Sequence, residues 1–388
     1  MKNHKSHIVL TLVACAVSAA AVHGQSNADT NKPAAVSAPS MGLKDAYAGK
    51  FLIGTAADVP RGYSEVELAN IKANYNIITP ENSMKPQPTH PSEDTYNWAT
   101  PDAMVQWCQD NNIKVWGHTL AWHSQTAGWF FQGTNGQPVT RELAMERLKN
   151  HIFTEVGRYK GRVYGWDVVN EAINDRNGGT TENLRNSSWI KAIGPDYLTL
   201  AFKWAHEADP QALLYYNDYN IDQDTNYDQA VPQYSGKHTS SMLLLKRLIA
   251  EGAPINGVGI QGHWHLYNNI DDVEKAIADY ESLGLKISIS ELDVTATGVN
   301  SGAMPTRGGG EPITPEALQK QAEVYAKLFD VFNRHAKSIS RVTFWGISDR
   351  RSWRSGQKPL VFDAQLQPKP ALQAILDVGQ GKYVPTKP

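Results

Sequence analysis

Three observations in the sequence predict a single α/β domain folded as a (β/α)8 (TIM) barrel. Eight short apolar segments of strand-like composition recur along the chain, and longer amphipathic segments of helical period lie between them. The 388 residues are enough for such a barrel. The first predicted strand runs into GTAAD at residues 54–58, which is not the glycine-rich phosphate loop of a doubly wound sheet.

The predicted elements alternate in chain order. Strands are predicted at residues 51–57, 75–80, 114–118, 163–170, 213–217, 257–262, 286–290 and 341–346. Helices are predicted at residues 102–111, 141–158, 197–208, 240–251, 271–283, 316–335 and 370–378. Such alternation makes βαβ units with parallel strands, so we expect the barrel over residues 43–382 and a short tail at residues 383–388.

The first 42 residues differ in composition from the rest. Lys2 and Lys5, an apolar stretch at residues 8–22 and the small residues after it predict a signal peptide over residues 1–24. Residues 25–42, rich in Ser, Ala, Asn and Pro, predict a flexible leader. We therefore expect an exported protein, extracellular or at the cell surface. The alternative is a lipoprotein signal, because a small residue precedes Cys15 in the apolar stretch, and a lipid there would tether the chain to a membrane.

The composition restricts the possible partners. A net charge of −2, with 20% charged residues, gives no reason to expect a nucleic acid or an anionic membrane as partner. We expect a monomer without an integral membrane span. Without residues 1–24, Cys108 is the only cysteine, which argues against a disulfide framework and a CxxC metal site. Eleven Trp and sixteen Tyr provide many rings that could stack on sugars, although core packing is the ordinary role of any one ring.

Two glutamates stand where predicted strands end. Glu171 closes the fourth strand and Glu291 follows the seventh. In a barrel the active site lies at the carboxyl ends of the strands, so the two side chains should meet at one rim. A carboxylate at such a position is partly desolvated, and its pKa responds to its neighbours. Trp166, Asn170 and Trp264 are candidates for those neighbours.

Further polar and aromatic residues follow the other strands. Two of them, His118 and His123, raise the alternative of a metal site, but their spacing is neither HxH nor HExxH. Amide, carboxylate and Trp groups together suit sugar hydroxyls and rings better, so we predict neither a metal nor a cofactor. Glycoside cleavage needs one acid to protonate the leaving oxygen and one carboxylate to attack the anomeric carbon. The inventory of residues fits that chemistry.

Six motifs then resemble the endo-β-1,4-xylanases of glycoside hydrolase family 10. They are ENSMK (81–85), WGHTLAWH (116–123), WDVVNE (166–171), GIQGHW (259–264), ISELD (289–293) and FWGISD (344–349), in the order of that family. The resemblance extends over about residues 43–382. It implies a retaining enzyme that cuts within xylan and xylo-oligosaccharides, with Glu171 as acid/base and Glu291 as nucleophile.

The resemblance also implies roles for the neighbouring residues. His263 and Asp293 would keep Glu291 ionised and oriented, and Asn170 would bond the sugar 2-hydroxyl. In this family a Lys and a roof of Trp leave little room for a hydroxymethyl group, which favours xylose over glucose. The expected substrate-binding set is Glu81, Asn82, Lys85, His118, Trp122, Gln125, Asn170, Tyr219, Gln261, Trp345 and Trp353.

Some features leave alternatives open. Residues 296–315 form a Gly-rich insertion after the seventh strand, where sugars on the leaving-group side would lie. A barrel cellulase or mixed β-1,4-glycanase could use the same two carboxylates, and a barrel that only binds sugar could use the same aromatic rings. A retaining enzyme should hold its two carboxyl groups about 5–5.5 Å apart.

Overall fold

The computed structural model describes residues 41–133, 137–175, 182–223, 236–297 and 313–385. The predicted signal peptide, Cys15 and nearly all of the predicted leader lie outside these ranges, as do most of the Gly-rich insertion and the end of the predicted tail. In the part of the chain that is described, no helix is both long and apolar enough to cross a membrane.

Eight parallel strands close a barrel, as the sequence predicts. Strand β1 pairs with both β2 and β9, and β6 pairs with β8, so the ring has no free edge. A ninth strand, β7, pairs only with the end of β8. The strands are β1 (Leu52–Ala56), β2 (Ile77–Thr79), β3 (Lys114–Trp122), β4 (Gly165–Asn170), β5 (Leu213–Asp218), β6 (Gly257–Ile260), β7 (His263–His265), β8 (Lys286–Thr295) and β9 (Ile339–Phe344).

Helices cover the outside of the barrel. The described ones are α1 (Leu43–Ala46), α2 (Glu65–Asn74), α3 (Pro86–Thr89), α4 (Ala99–Asp110), α5 (Arg141–Arg158), α6 (Ser188–Ala192), α7 (Tyr197–Ala208), α8 (Lys237–Ala250), α9 (Ile270–Ser282), α10 (Pro315–Arg334) and α11 (Pro370–Gly379). Helices α5 and α7 have the predicted bounds. The caps follow from local sequence: Thr140 and Thr314 accept a hydrogen bond from the third backbone N–H of α5 and α10.

Helix α2 is absent from the prediction although it has the clearest start signal in the chain. Ser64 and Glu67 form a capping box, in which each side chain bonds the other residue's backbone N–H. The apolar positions of α2 do not form one stripe, because Val66 is 68% exposed while Leu68 and Ile71 are buried. A search based on hydrophobic period therefore misses it.

Strand β7 is the main departure from the predicted topology. The sixth strand was predicted to run to residue 262, but it ends at Ile260 because Gly262 has a left-handed φ of 77° and turns the chain. The chain then pairs again, with His263 opposite Asp293. Strand β8 correspondingly continues to Thr295, five residues beyond its predicted end. This extension brings two predicted site residues side by side.

Candidate active site

A cavity of about 530 Å³ opens at the carboxyl ends of the barrel strands. Its wall contains thirteen of the fifteen predicted site residues: Glu81, Asn82, Lys85, His118, Trp122, Asn170, Glu171, Tyr219, Gln261, His263, Glu291, Trp345 and Trp353. Asp293 lies behind the wall and is fully buried. Gln125 is exposed and is not part of the wall; its backbone carbonyl accepts a hydrogen bond from the N–H of Gln87.

Glu291 lies within β8, where its side chain is almost completely buried. Its Oε1 accepts a hydrogen bond from Asn217 Nδ2 at 2.9 Å, and its Oε2 lies 3.3 Å from His263 Nε2. Burial raises the pKa of Glu291, but the hydrogen bond from His263 and the charges of His118, His263 and Lys85 outweigh it and lower the pKa. Glu291 is thus prepared to be an ionised carboxylate.

His263 connects Glu291 to Asp293. Its Nδ1 lies 3.0 Å from Asp293 Oδ2, on the side opposite Glu291. Burial alone would lower the pKa of His263, yet the charge of Asp293 and the hydrogen bonds to both carboxylates raise it to about 9. Trp353 Nε1 and Arg354 Nη1 also donate to Asp293, at 2.9 and 3.3 Å. His263 is therefore a buried imidazolium between two carboxylates.

Glu171 lies just past the end of β4 and faces the same cavity. Its Oε1 accepts hydrogen bonds from Gln261 Nε2 at 3.0 Å and Asn170 Nδ2 at 3.3 Å, and its Oε2 accepts one from Trp122 Nε1 at 2.8 Å. Burial raises the pKa of Glu171, and the negative charges of Asp218 and Glu291 raise it further, against the hydrogen bonds from Gln261 and Trp122. Glu171 is thus prepared to hold a proton.

Amide side chains connect the two glutamates. Asn217 Nδ2 donates to Glu291 and also to Asn170 Oδ1 at 3.0 Å, while Asn170 and Gln261 both donate to Glu171. The hydroxyl of Ser290 donates to Asn217 Oδ1 at 2.5 Å, which directs the amide nitrogen of Asn217 toward the acids. The two carboxyl groups are therefore held by one hydrogen-bonded network.

On the β2 and β3 side of the cavity a cation faces the carboxylates. Lys85 Nζ donates to Asn82 Oδ1 at 3.3 Å and lies 5.1 Å from the ring centroid of Trp122. Burial lowers the pKa of Lys85 while Glu291, Glu81 and Glu171 raise it. This wall combines hydrogen-bonding groups with a ring face, a combination that suits a sugar.

The chain matches Glycosyl hydrolase family 10 over residues 42–378. It belongs to this family. The match covers nearly the whole described part of the chain, and it agrees with a closed barrel whose carboxyl rim carries two glutamates.

Known proteins are similar to this chain in sequence and in fold. Endo-1,4-beta-xylanase B of Paenibacillus barcinonensis is 38% identical over 342 residues, which are 86% of this chain and 97% of that protein. Exoglucanase XynX of Acetivibrio thermocellus is 39% identical over 346 residues, but these are only 29% of that longer protein. The crystal structure of an intracellular xylanase from Thermoanaerobacterium saccharolyticum superposes with a TM-score of 0.76 at 36% identity, covering 86% of this chain and 98% of that one.

Two tryptophans that the sequence suggests as neighbours of the glutamates lie elsewhere. Trp166 and Trp264, candidates for the surroundings of the glutamates, belong to the hydrophobic core and are absent from the cavity wall. The ring of Trp166 packs over Gly117, and Trp264 Nε1 donates to Asp222 at 2.8 Å. Strands of a parallel barrel are apolar on both faces, so the sequence does not show which way such a residue points.

The structure adds residues to this family 10 site that the predicted set omits. Asn217 is the most important of them, because it donates a hydrogen bond directly to Glu291. Its position near the end of β5 is a sequence feature that could have identified it as a site residue. His123 lines the cavity, with Nδ1 3.9 Å from Glu171 Oε2. Arg354 also lines it and contacts Asp293. Among the described residues, no group of three or more His, Cys, Asp or Glu is arranged to hold a metal ion.

Proposed function

We propose that this chain is an endo-1,4-β-xylanase that cleaves xylan with net retention at the anomeric carbon. One observation carries the proposal: a single cavity holds two glutamates that are mostly removed from water and whose pKa values are displaced in opposite directions, Glu171 upward and Glu291 downward. A pair of carboxyl groups with separated pKa values is the acid and nucleophile arrangement that retaining glycosidases need.

The first chemical step uses the two glutamates in their different protonation states. Ionised Glu291 attacks the anomeric carbon while protonated Glu171 gives its proton to the leaving oxygen, so the glycosidic bond breaks and a glycosyl ester forms on Glu291. His263 and Asn217 hold the Glu291 oxygens, and Trp122 and Gln261 hold those of Glu171. The attacking and protonating atoms are thus fixed before the sugar binds.

The second step follows from the electrostatics of the pair. An ester at Glu291 carries no charge, so one of the negative charges that raise the pKa of Glu171 disappears. Glu171, which lost its proton in the first step, then acts as base toward a water molecule that attacks the same carbon. Hydrolysis frees Glu291, and the proton taken from water returns Glu171 to its starting state.

Xylan as substrate is supported by the relatives, most of which are named endo-1,4-beta-xylanases. We assign the cavity-lining members of the expected substrate-binding set to the sugars, with Trp345 and Trp353 as the roof. Lys85 lines the same cavity and is nearly buried. We propose that it leaves little space for the hydroxymethyl group of a glucose unit.

The proposal is tested by removing each glutamate separately. Glu291→Ala should lose essentially all activity on xylan, and Glu171→Ala should recover partly with an aryl xylobioside that has a good leaving group, or with added azide. Proton NMR of the first product should show the β-anomer. Full activity of either variant, or an α-anomer as first product, would refute the mechanism. We also expect a crystal structure to show the two carboxyl groups about 5–5.5 Å apart.

A second candidate is a mixed β-1,4-glycanase, and the name of the exoglucanase relative favours it. Reducing-sugar release from xylan and from cellulose under identical conditions separates the two. Equal rates on both polymers would replace the xylanase assignment by the broader one.

Export is also part of the proposal. We propose that residues 1–24 direct secretion, with lipidation of Cys15 as the alternative, and that the mature protein is a monomer. The mass of the mature protein purified from the native host distinguishes cleavage near Gly24 from a lipid on Cys15. A cytoplasmic protein that keeps its amino terminus intact would contradict both signal-peptide cleavage and lipidation.

A further inference from the structure

The backbone that carries Glu171 is held by side chains as well as by backbone hydrogen bonds. Glu171 has a left-handed φ of 56°, a conformation that costs free energy in a residue other than glycine. Its N–H donates to the Asn217 carbonyl at 2.8 Å. Arg185 Nε donates to the Glu171 carbonyl at 3.1 Å, and Arg185 Nη2 to the Ile173 carbonyl at 3.0 Å. The backbone N–H of Arg185 donates to the Ala172 carbonyl at 2.7 Å.

Two side chains of β5 take up the remaining N–H groups of this segment. The N–H of Ala172 donates to the hydroxyl of Tyr216 at 3.1 Å, and the N–H of Ile173 donates to Asp218 Oδ2 at 3.3 Å. The Tyr216 hydroxyl in turn donates to the same Asp218 oxygen at 2.5 Å. Every backbone N–H and carbonyl of residues 171–173 therefore has a partner.

Asp218 is a fully buried carboxylate whose other oxygen is also occupied. Lys237 Nζ lies 2.8 Å from Asp218 Oδ1, which accepts the N–H of Tyr219 at the same distance. Lys237 is itself buried and lies 3.5 Å from the ring centroid of Tyr219. An ion pair so fully removed from water needs further hydrogen bonds to offset its desolvation, and Lys237 Nζ also lies 3.4 Å from Asp175 Oδ1.

We propose that Arg185, Tyr216 and Asp218 are positioning residues for Glu171: they fix the backbone of residues 171–173 so that the Glu171 carboxyl enters the cavity. This inference rests on the proposed role of Glu171 as acid. None of the three side chains needs to touch the sugar for this purpose.

The charged groups that face Glu171 come from several strands. Burial is the largest cause of its raised pKa, Asp218 is the next, and Glu291 contributes from β8. Lys85, after β2, interacts with Glu171 as a cation, and the Arg185 guanidinium lies against the Glu171 backbone carbonyl. His123, after β3, has its pKa lowered to about 4 by burial, so it is neutral beside Glu171 near neutral pH. Removal of the Asp218 charge should therefore lower the pKa of Glu171.

The test replaces both members of the buried pair, and Asp175, which Lys237 also contacts at 3.4 Å, keeps Arg185 as its partner at 3.3 Å. In the double variant Asp218→Asn/Lys237→Met we compare kcat/KM for phenyl β-xylobioside, which needs an acid, and for 2,4-dinitrophenyl β-xylobioside, which does not. We expect a loss of about tenfold or more on the phenyl substrate and little change on the other. The basic limb of the pH profile for the phenyl substrate should move to lower pH, because Asp218 is the largest charge effect that raises the pKa of Glu171, whereas the Lys237 cation removed with it is not among the causes that act on Glu171.

A matched control is available at another buried pair. Lys369 Nζ lies 3.1 Å from Asp349 Oδ2, both side chains are at most 5% exposed, and neither lines the cavity. The double variant Asp349→Asn/Lys369→Met should lose comparable stability but keep the basic limb and the ratio between the two substrates. The same shift in this control would show that loss of any buried pair suffices, and would overturn the inference.

A milder variant provides a test if the double variant Asp218→Asn/Lys237→Met does not fold. Tyr216→Phe removes one hydroxyl from the set, and we expect a smaller loss that again falls mainly on the phenyl substrate. Equal losses on both substrates with an unshifted basic limb, in either variant, would mean a merely structural role. A wild-type protein that does not hydrolyse xylan would refute the proposed function as well, whereas an active wild type with equal losses refutes the positioning role alone.

Discussion

Asp293→Asn tests how the charge of Glu291 is maintained. The substitution keeps the size of the side chain and removes the anion that faces His263 Nδ1 at 3.0 Å. Asp293 is the first cause that raises the pKa of His263 from 6.5 to about 9. At about 1.4 kcal/mol per pKa unit, this shift corresponds to about 3 kcal/mol in favour of the imidazolium. In the Asn variant His263 should be neutral near neutral pH. Burial and the positive charge of Arg354 both lower the pKa of His263, and the charge of Asp293 no longer outweighs them.

The sign of the pH dependence follows from linkage. Because the pKa of His263 is raised by folding, its contribution to stability is fully present below about pH 6.5 and is lost as the pH rises through about 9. Asp293→Asn should therefore lower the melting temperature strongly at pH 6 and much less at pH 9.5. A decrease of the same size at both pH values would refute the argument.

Activity provides an independent measurement of the same coupling. With a neutral His263, Glu291 loses a cationic partner at 3.3 Å and its pKa should rise. The acidic limb of kcat/KM on xylo-oligosaccharides should then move to higher pH, by about 1 unit or more. Trp353→Phe is the control, because it removes a hydrogen bond to Asp293 but no charge. An unchanged acidic limb in Asp293→Asn would contradict the assigned role of His263.

Three further changes probe other parts of the molecule. Trp122→Phe removes the donor 2.8 Å from Glu171 Oε2 and should reduce kcat/KM on xylan about tenfold, with KM for short oligosaccharides also raised; unchanged kinetics would contradict that contact. Gly117→Ala should destabilise the barrel by about 1–3 kcal/mol in urea unfolding, because its Cβ would meet Trp166 carbons at 2.1 Å; unaltered stability would mean that the ring can move. Glu155 is fully buried and its pKa is raised well above 4.5 by burial, so folding favours its neutral form and stability declines as the pH rises above about 4.5. Glu155→Gln should thus raise the melting temperature at pH 8 relative to wild type and leave it nearly unchanged at pH 4. A variant that melts below wild type at pH 8 would disprove a neutral Glu155.

Much of the fold could be predicted because its signals are local. The period and caps of α5 and α7 lie within each segment, and their bounds agree with the prediction. Strand β7 could not be predicted, since it depends on a turn at Gly262 and on pairing with residues far along the chain. Two of the predicted site residues, His263 and Asp293, are adjacent only because of that pairing. In the sequence alone, only the family resemblance associates His263 with Asp293; no local pattern does so.

The site was predictable in its residue types but not in its connections. Polar residues at strand ends indicate the rim of a barrel, and the structure has both Glu171 and Glu291 on the wall of one cavity there. The contact of Asn217 with Glu291 joins residues 74 positions apart, and that of Asp218 with Ile173 joins residues 45 positions apart. No local pattern specifies such pairs. The side toward which a tryptophan faces is equally hidden, as Trp166 shows.

The two glutamates show why burial alone cannot assign their roles. Both are mostly removed from water, and burial raises the pKa of each. The difference comes from what surrounds them: the cations His263 and Lys85 reverse the effect for Glu291, whereas the anion Asp218 reinforces it for Glu171. Without these charges, burial would raise the pKa of both glutamates. The division of labour therefore depends on these neighbouring charges as much as on the catalytic pair.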